Sequence, residues 1–281
     1  MSVSIPVSEG VLAVGFDRPL EPKEDVRMYG PLLTYLERAT GRTFHLHVTP
    51  RDSNIVDEAG KADFAIVVTL SYLPARERWG ARAGAGAQRP REPTHRAAIV
   101  ARPGSPVRSL ADLQCRTFAF GAPNSTWGNL IPRMMLAEES IALTNLQKRY
   151  EYMPSHAATA STVVNGRYDI GGVQDTLALA LQSRGLVGIV ALSSPYPSSG
   201  IIVSTRMPEH VAQLVRKALL GFEPTSRDAA GLYHWDRSEM PRGFAPAQDE
   251  DYAVLRQWAT FFGLCSPAEA PAPEPEWPDR S

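Results

Sequence analysis

Residues 116–128, RTFAFGAPNSTWG, decide the reading of this chain. Thr117 to Phe120 is short, apolar and aromatic, which predicts a buried strand. Gly121 to Gly128 follows as a loop, and Asn129 to Glu139 has helical composition. A strand that passes through small and hydroxyl residues into a helix is one step of an α/β domain. Ser125 and Thr126 fall where first-turn backbone N–H groups have no intrahelical acceptor. Such amides, at the positive end of a helix dipole and beside two alcohols, suit an anion. The same residue types are also ordinary N-caps, so this stretch alone leaves both roles open.

The pattern repeats outward in both directions. Val11 to Phe16 (VLAVGF) is apolar and Val-rich, and reads as a buried parallel strand. A Pro-punctuated loop, Asp17 to Asp25, precedes a helix opened by Gly30-Pro31, with Leu32, Leu33, Leu36 and Ala39 as its apolar stripe. Thr43 to Thr49 alternates as a strand does, and FAIVV after Lys61-Ala62-Asp63 is another buried strand. Residues 76–102 carry seven arginines, and GARAGAGAQRPREP within them reads as a flexible loop. Ala97 to Ala101 returns to strand. Beyond the opening stretch come strands at 150–153, 169–173, 187–192 and 201–204, with helices at 155–164, 176–183, 208–220 and 252–262. Residues 266–281 hold five prolines and four acids, a composition that builds no core and reads as a disordered tail.

Composition excludes several classes. With 281 residues the chain is long enough for two lobes and needs no disulfide or metal staple. Lys plus Arg is 29 against 30 acids, which argues against a nucleic-acid binder. Cys115 and Cys265 show no CxxC or Cys/His ligand spacing and read as free thiols. His45 and His47 share a strand face, but no third ligand joins them, so no metal or other cofactor is expected. No apolar run approaches the length of a membrane span. Met1 to Gly10 has neither a basic nor an apolar signal region, so the chain as given reads either as cytoplasmic or as one whose signal has been removed.

Four further stretches resemble the opening one. Ser155 and His156 stand at a strand-to-helix junction, where an imidazole could donate to an anionic oxygen. Gln174 and Asp175 lie at the end of a strand, where open α/β sheets bind ligands, and Asp175 could equally cap the next helix. The loop SSPYPSSG (193–200) and the run Thr69-Leu70-Ser71-Tyr72 complete the set. Together they suit a polar pocket that receives an oxyanion through neutral donors.

These pieces, in this order, resemble the phosphonate, phosphite and phosphate substrate-binding proteins of ABC transporters, a branch of the type II periplasmic binding proteins. The resemblance rests on VLAVGF, GPLLTYLERATGR, KADFAIVVTLSYLPA, AAIVARPGSPVRSLADLQCRTFAFGAPNSTWG, PSHAATASTVVNGRYDIGGVQD and LSSPYPSSGIIVSTRMP, and covers about residues 11–220. It implies a two-lobed α/β fold, each lobe a mixed sheet flanked by helices, with a ligand cleft between them. Lobe one would be residues 11–100 plus 201–265, and lobe two residues 101–200. By the family's pattern Ser125, Thr126 and His156 would hold the oxyanion, Tyr72 would reach in from lobe one, and Asp175 with Ser198 or Ser199 would lie near the ligand's substituent. A permease would be the partner if the chain is exported, and the family's compartment is the periplasm. Three positions depart from the pattern. Trp127 replaces a small hydroxyl, Ala157 stands where many relatives have an acid, and Ser198 and Ser199 occupy a region that can be acidic, which argues against an ammonium-bearing ligand. Two other readings stand beside this one. One is a cytoplasmic enzyme on the same fold, pyrimidine-synthase-like or menaquinone-pathway-like, with His156 or Asp175 as general acid or base. The other, resting on the Pro-rich tail and the arginine-rich loop, is a sensor or adaptor module reporting ligand to a partner.

Overall fold

The computed structural model describes residues 11–16, 22–47, 55–58, 61–87, 94–113, 116–146, 150–197, 200–238 and 240–264. Cys115, Cys265, Ser198, Ser199 and the Pro-rich tail lie outside the described residues. In chain order the elements begin β1 (Val11–Phe16), α1 (Pro22–Thr40), β2 (Thr43–His47), α2 (Ile55–Glu58), β3 (Phe64–Val67), α3 (Thr69–Trp79) and β4 (Arg82–Ala87). There follow β5 (Thr94–His95), β6 (Ala97–Ala101), β7 (Phe118–Phe120), a π-helical turn (Thr126–Leu130) that runs directly into α4 (Ile131–Glu138), β8 (Tyr150–Tyr152) and α5 (His156–Val164). The chain continues with β9 (Ile170–Gln174), α6 (Asp175–Ser183), β10 (Gly188–Leu192), β11 (Tyr196–Pro197), β12 (Gly200–Val203), α7 (Glu209–Leu220), β13 (Phe244–Ala245) and α8 (Ala253–Phe261).

Among the described residues two compact units form, one from residues 11–93 with 197–251, the other from residues 94–196 with 252–264. The sequence reading divides the chain at 100/101 and 200/201 and keeps residues up to 265 in lobe one. In the structure the divisions fall at 93/94 and 196/197, and the chain crosses a third time at 251/252, so α8 groups with the second unit. The short strands β5 and β11 form a separate two-stranded ladder at the first two of these positions.

The first unit holds a six-stranded sheet in the order β13-β4-β12-β3-β1-β2. β1 runs parallel to both β2 and β3, while β12 is antiparallel to β3 and β4. Leu12, Val14, Leu32, Leu36, Phe64, Ile66, Val203, Val215 and Leu219 form one buried cluster, the apolar faces of α1 and α7 closing on the sheet. The Asp63 backbone N–H donates to the Ala13 carbonyl at 2.9 Å while its side-chain Oδ2 accepts from the Ala13 N–H at 2.9 Å, a reciprocal bracket that fixes β3 beside β1. Two expectations are corrected here. The first helix begins at Pro22 rather than at Pro31, which sits inside it. Pro31 removes the donor for the Arg27 carbonyl, and Arg27 lies on the solvent side, where water can take that place. The glycine-rich stretch after Trp79 is a strand in its first half, not a loop: β4 pairs with β12 and β13. Its glycine content serves close approach, since a Cβ on Gly84 would lie 2.8 Å from Val203 Cγ2 and 3.0 Å from the Ile201 carbonyl.

The second unit holds a five-stranded sheet in the order β10-β6-β9-β7-β8. β7 is parallel to both β8 and β9, and β6 is antiparallel to β9 and β10. The pair Gly171-Gly172 lets helices settle on both faces of β9. Successive residues of a strand face opposite ways. A Cβ on Gly171 would strike Thr159 and Val163 of α5, each at 2.9 Å, and one on Gly172 would strike Pro132 of α4 at 2.6 Å. At the start of β7, Thr117 N–H and hydroxyl both donate to Asp169 Oδ2 (3.0 and 2.9 Å), and the Asp169 N–H donates back to Thr117 Oγ1 at 2.9 Å.

Candidate functional site

Because β7, β8 and β9 are neighbours and point the same way, their C-terminal ends meet at one edge of the sheet. Each end delivers a helix start: Ser125 and the π-turn after β7, Ser155 and α5 after β8, and Asp175 at the head of α6 after β9. Ser125, Thr126, His156 and Asp175, named from sequence, are therefore brought together. This is the edge where open α/β sheets place ligands.

The 121–128 loop is closed by backbone. The Gly121 N–H donates to the Gly128 carbonyl at 2.7 Å, and the Ser125 N–H to Ala122 at 2.7 Å. Ser125 is extended (φ −84, ψ 121) and its Oγ accepts from the Gly128 N–H at 3.0 Å. Its carbonyl accepts from both Asn129 (3.0 Å) and Leu130 (3.1 Å), the longer register that makes this turn π rather than α. Asn129 is fully buried and donates from Nδ2 to the Pro123 carbonyl at 2.6 Å, pinning the loop from behind. Sequence reading passed over Asn129, which resembles any helix residue until its partner six positions back is seen. Ser125 and Thr126 are both buried, and so is Trp127.

The second turn is tied to the first. Ser155 is the extended N-cap of α5, and its Oγ accepts from Ala158 N–H at 3.2 Å. The Phe120 carbonyl, last in β7, accepts from Met153 N–H at 2.9 Å and lies 3.3 Å from the buried Thr159 hydroxyl. His156 opens α5 and is half-buried.

At the third end the cap is Gln174, not Asp175, which is the first helical residue. The Asp175 carboxylate is buried. Its Oδ1 accepts from the Thr176 N–H at 2.8 Å and lies 3.3 Å from His95 Nδ1, and its Oδ2 accepts from the Arg96 N–H at 3.2 Å. His95 Nδ1 also lies 3.1 Å from the Gln174 side-chain amide, and its ring stands 5.6 Å from the Trp127 ring with planes at 57°. Sequence reading missed His95, because the partner that gives it meaning lies 80 residues further on.

Tyr72 belongs to the other unit and opens no loop. It is a buried residue in the first half of α3. Its hydroxyl donates to Asp249, which also accepts from Arg76 Nε at 3.2 Å and Ala83 N–H at 3.1 Å. Burial opposes the charge on Asp249, but the hydrogen bonds from Tyr72, Ala83 and Arg76 together hold its carboxyl below the ordinary carboxylate value. Among the described residues no three His, Cys, Asp or Glu gather as a metal site, and no helix is long and apolar enough to cross a membrane.

A two-unit α/β molecule with hydroxyls and helix starts gathered at one sheet edge is the architecture of a substrate-binding protein. Residues 18–252 match the family model of the periplasmic substrate-binding protein of phosphonate ABC transporters, and the chain belongs to that family. It functions as the substrate-binding component of such a transporter, whose other parts include a membrane permease. The fold agrees with solved structures. PhnD1 from Prochlorococcus marinus in complex with methylphosphonate is 16% identical, with 91% of this chain and 99% of that one covered and a TM-score of 0.73. A binding component of an ABC phosphonate transporter from Pseudomonas aeruginosa is 19% identical over 90% of this chain and 86% of that one, TM-score 0.68. The alkanesulfonate-binding protein SsuA from Xanthomonas axonopodis pv. citri, bound to MOPS, is 16% identical over 92% and 94%, TM-score 0.56. The enzyme reading finds no support in these relatives.

Proposed function

We propose that Ser125, Thr126 and His156 hold the oxygens of a small phosphonate, phosphite or phosphate ester, which the chain carries to its permease. The observation that carries this is the convergence of the π-turn, α5 and α6 at the ends of three adjacent parallel strands. A dianion there meets alcohols, an imidazole and helix-end amides fixed before it arrives. Preorganised donors in a buried setting bind anionic oxygens without the reorganisation that water requires. The loop closure between Gly121 and Gly128 supplies that preorganisation. The relative solved with methylphosphonate supports the choice of ligand class.

Calorimetric titration with methylphosphonate tests the assignment. Thr126→Ala and His156→Ala should each weaken binding at least tenfold while far-UV circular dichroism stays that of the parent. Parent-like affinity in both variants refutes it.

A further inference from the structure

We propose that the first unit carries a second small-molecule site, a cavity over its core that takes a zwitterionic amino acid with an apolar or aromatic side chain. The cavity measures about 380 Å³ and is open to solvent; ligand pockets typically hold about 300–1,000 Å³. All its lining residues lie between α7 and β13, in residues 221–243, where the described structure holds a single 3₁₀ turn, Trp235–Arg237. Connections this long without strands or α-helices are uncommon in compact domains and usually carry function. The inner wall is Trp235, which also belongs to the buried cluster of this unit. It is 4% exposed and meets Tyr29 and Phe222 in T-shaped contacts at 5.9 and 5.4 Å, so the indole is fixed. Its Nε1 is buried and has no acceptor in the protein. A buried indole N–H ordinarily finds one, so this donor on a cavity wall suits a ligand oxygen. His234, beside it in the same wall, holds the left-handed conformation (φ 47, ψ 32). Residues other than glycine are strained there, and such strain gathers at ligand-binding positions.

Charge decides the ligand class. Arg227 of the same connection is paired with Glu223 at 3.7 Å and with Asp228 at 3.5 Å, so those three charges are matched within the protein. Asp236 and Arg242 line the cavity, both are exposed, and neither has an ion-pair partner among the described residues. A simple carboxylate would be drawn to Arg242 but repelled by Asp236, and a simple amine would meet the reverse. An amino acid answers both charges at once. Its carboxylate faces Arg242 and offers the acceptor that Trp235 lacks, and its ammonium faces Asp236. The remaining wall is largely apolar, with Pro224, Leu232 and Pro241 beside the indole, and it receives the amino acid's side chain. The two prolines have fixed φ, which stiffens the wall before a ligand arrives.

L-phenylalanine and L-leucine are the probes, with phenylpropionate and phenylethylamine as comparisons that each lack one charged group of phenylalanine. In proton–nitrogen correlation spectra of the full chain, the indole resonance absent from Trp235→Phe should shift when either amino acid is added at millimolar concentration. Titrating that shift should show phenylalanine at least fivefold tighter than either comparison compound. Arg242→Gln should weaken phenylalanine at least fivefold and leave phenylethylamine no weaker. Asp236→Asn should weaken phenylalanine by a similar factor and leave phenylpropionate no weaker. Both side chains are exposed, so parent-like far-UV circular dichroism is expected of both variants. The proposal is overturned if neither amino acid moves the indole resonance, if a comparison compound binds as tightly as phenylalanine, or if either variant binds phenylalanine as the parent does. Displacement of the amino acid by methylphosphonate also overturns it, by placing both ligands at the strand-end edge of the other unit. The oxyanion reading stands or falls on its own titration.

Discussion

Replacing Gly128 by alanine should damage stability and ligand binding together, because one backbone contact serves both. An alanine Cβ at 128 would lie 2.7 Å from Gly121 Cα, 3.1 Å from Gly121 N and 3.1 Å from Ser125 Oγ. Carbon atoms pack at about 3.5–4.0 Å, so the two glycine backbones must part by about 1 Å. The Gly121 N–H bond to the Gly128 carbonyl, 2.7 Å, and the Gly128 N–H bond to Ser125 Oγ, 3.0 Å, cannot both survive that movement. Overpacking costs about 1–3 kcal/mol, and each lost hydrogen bond about 1 kcal/mol. Relaxation relieves part of both, which leaves about 2–4 kcal/mol. At about 2–4 °C per kcal/mol, the melting transition of the second unit should fall by roughly 4–16 °C. Methylphosphonate affinity should drop more than tenfold, since Ser125 and Thr126 ride on the displaced turn. Differential scanning calorimetry and isothermal titration measure the two effects. Gly188→Ala is the control: no atom lies within 4 Å of its added Cβ, and it should melt like the parent. A Gly128→Ala protein that melts within about 2 °C of the parent and binds methylphosphonate unchanged would refute the steric reasoning.

Asp249→Asn probes the first unit through pH. The carboxyl is held below its ordinary value of about 3.9, so its contribution is complete above that pH and disappears as pH falls through the lower folded value. Thermal melts between pH 6 and 2.5 should show the parent's stability falling more steeply below about pH 4 than the variant's; equal slopes would exclude Asp249 as a source of acid sensitivity. Asp63→Ala leaves the buried Ala13 N–H without its side-chain acceptor and should cost about 1–3 kcal/mol in urea unfolding, with methylphosphonate binding retained.

What the sequence disclosed was what is local. A strand, a turn of small hydroxyl residues and a helix follow one another within a dozen positions, so 116–128 and 153–164 could be read as strand-to-helix turns from propensity and capping alone. What stayed hidden depended on partners far along the chain. The run Thr69 to Tyr72 after the FAIVV strand gives no sign that the Tyr72 hydroxyl donates to Asp249, 177 positions away. His95 followed a stretch read as loop, and only the β6–β9 pairing sets it against Asp175. β4 carried glycines that suggest flexibility, and the side chain and carbonyl that require one of them belong to β12. The start of α1 is hidden for a different reason. Pro31 has the look of an opening signal, but it sits inside a helix that begins at Pro22.

Gly171-Gly172 shows how such a non-local demand can still leave a local trace. A glycine inside an apolar strand weakens the strand, and two in succession weaken it more, so the pair is stable only if something is gained on both faces. Period-two alternation sends the two missing side chains in opposite directions. One vacancy is filled by Thr159 and Val163 of α5 and the other by Pro132 at the head of α4. The helices that carry His156 and Thr126 are therefore drawn against β9 at adjacent positions from opposite sides. Two helix-opening turns held at one sheet edge require such a seat in the strand that their helices flank, and the glycine pair is where the sequence records it.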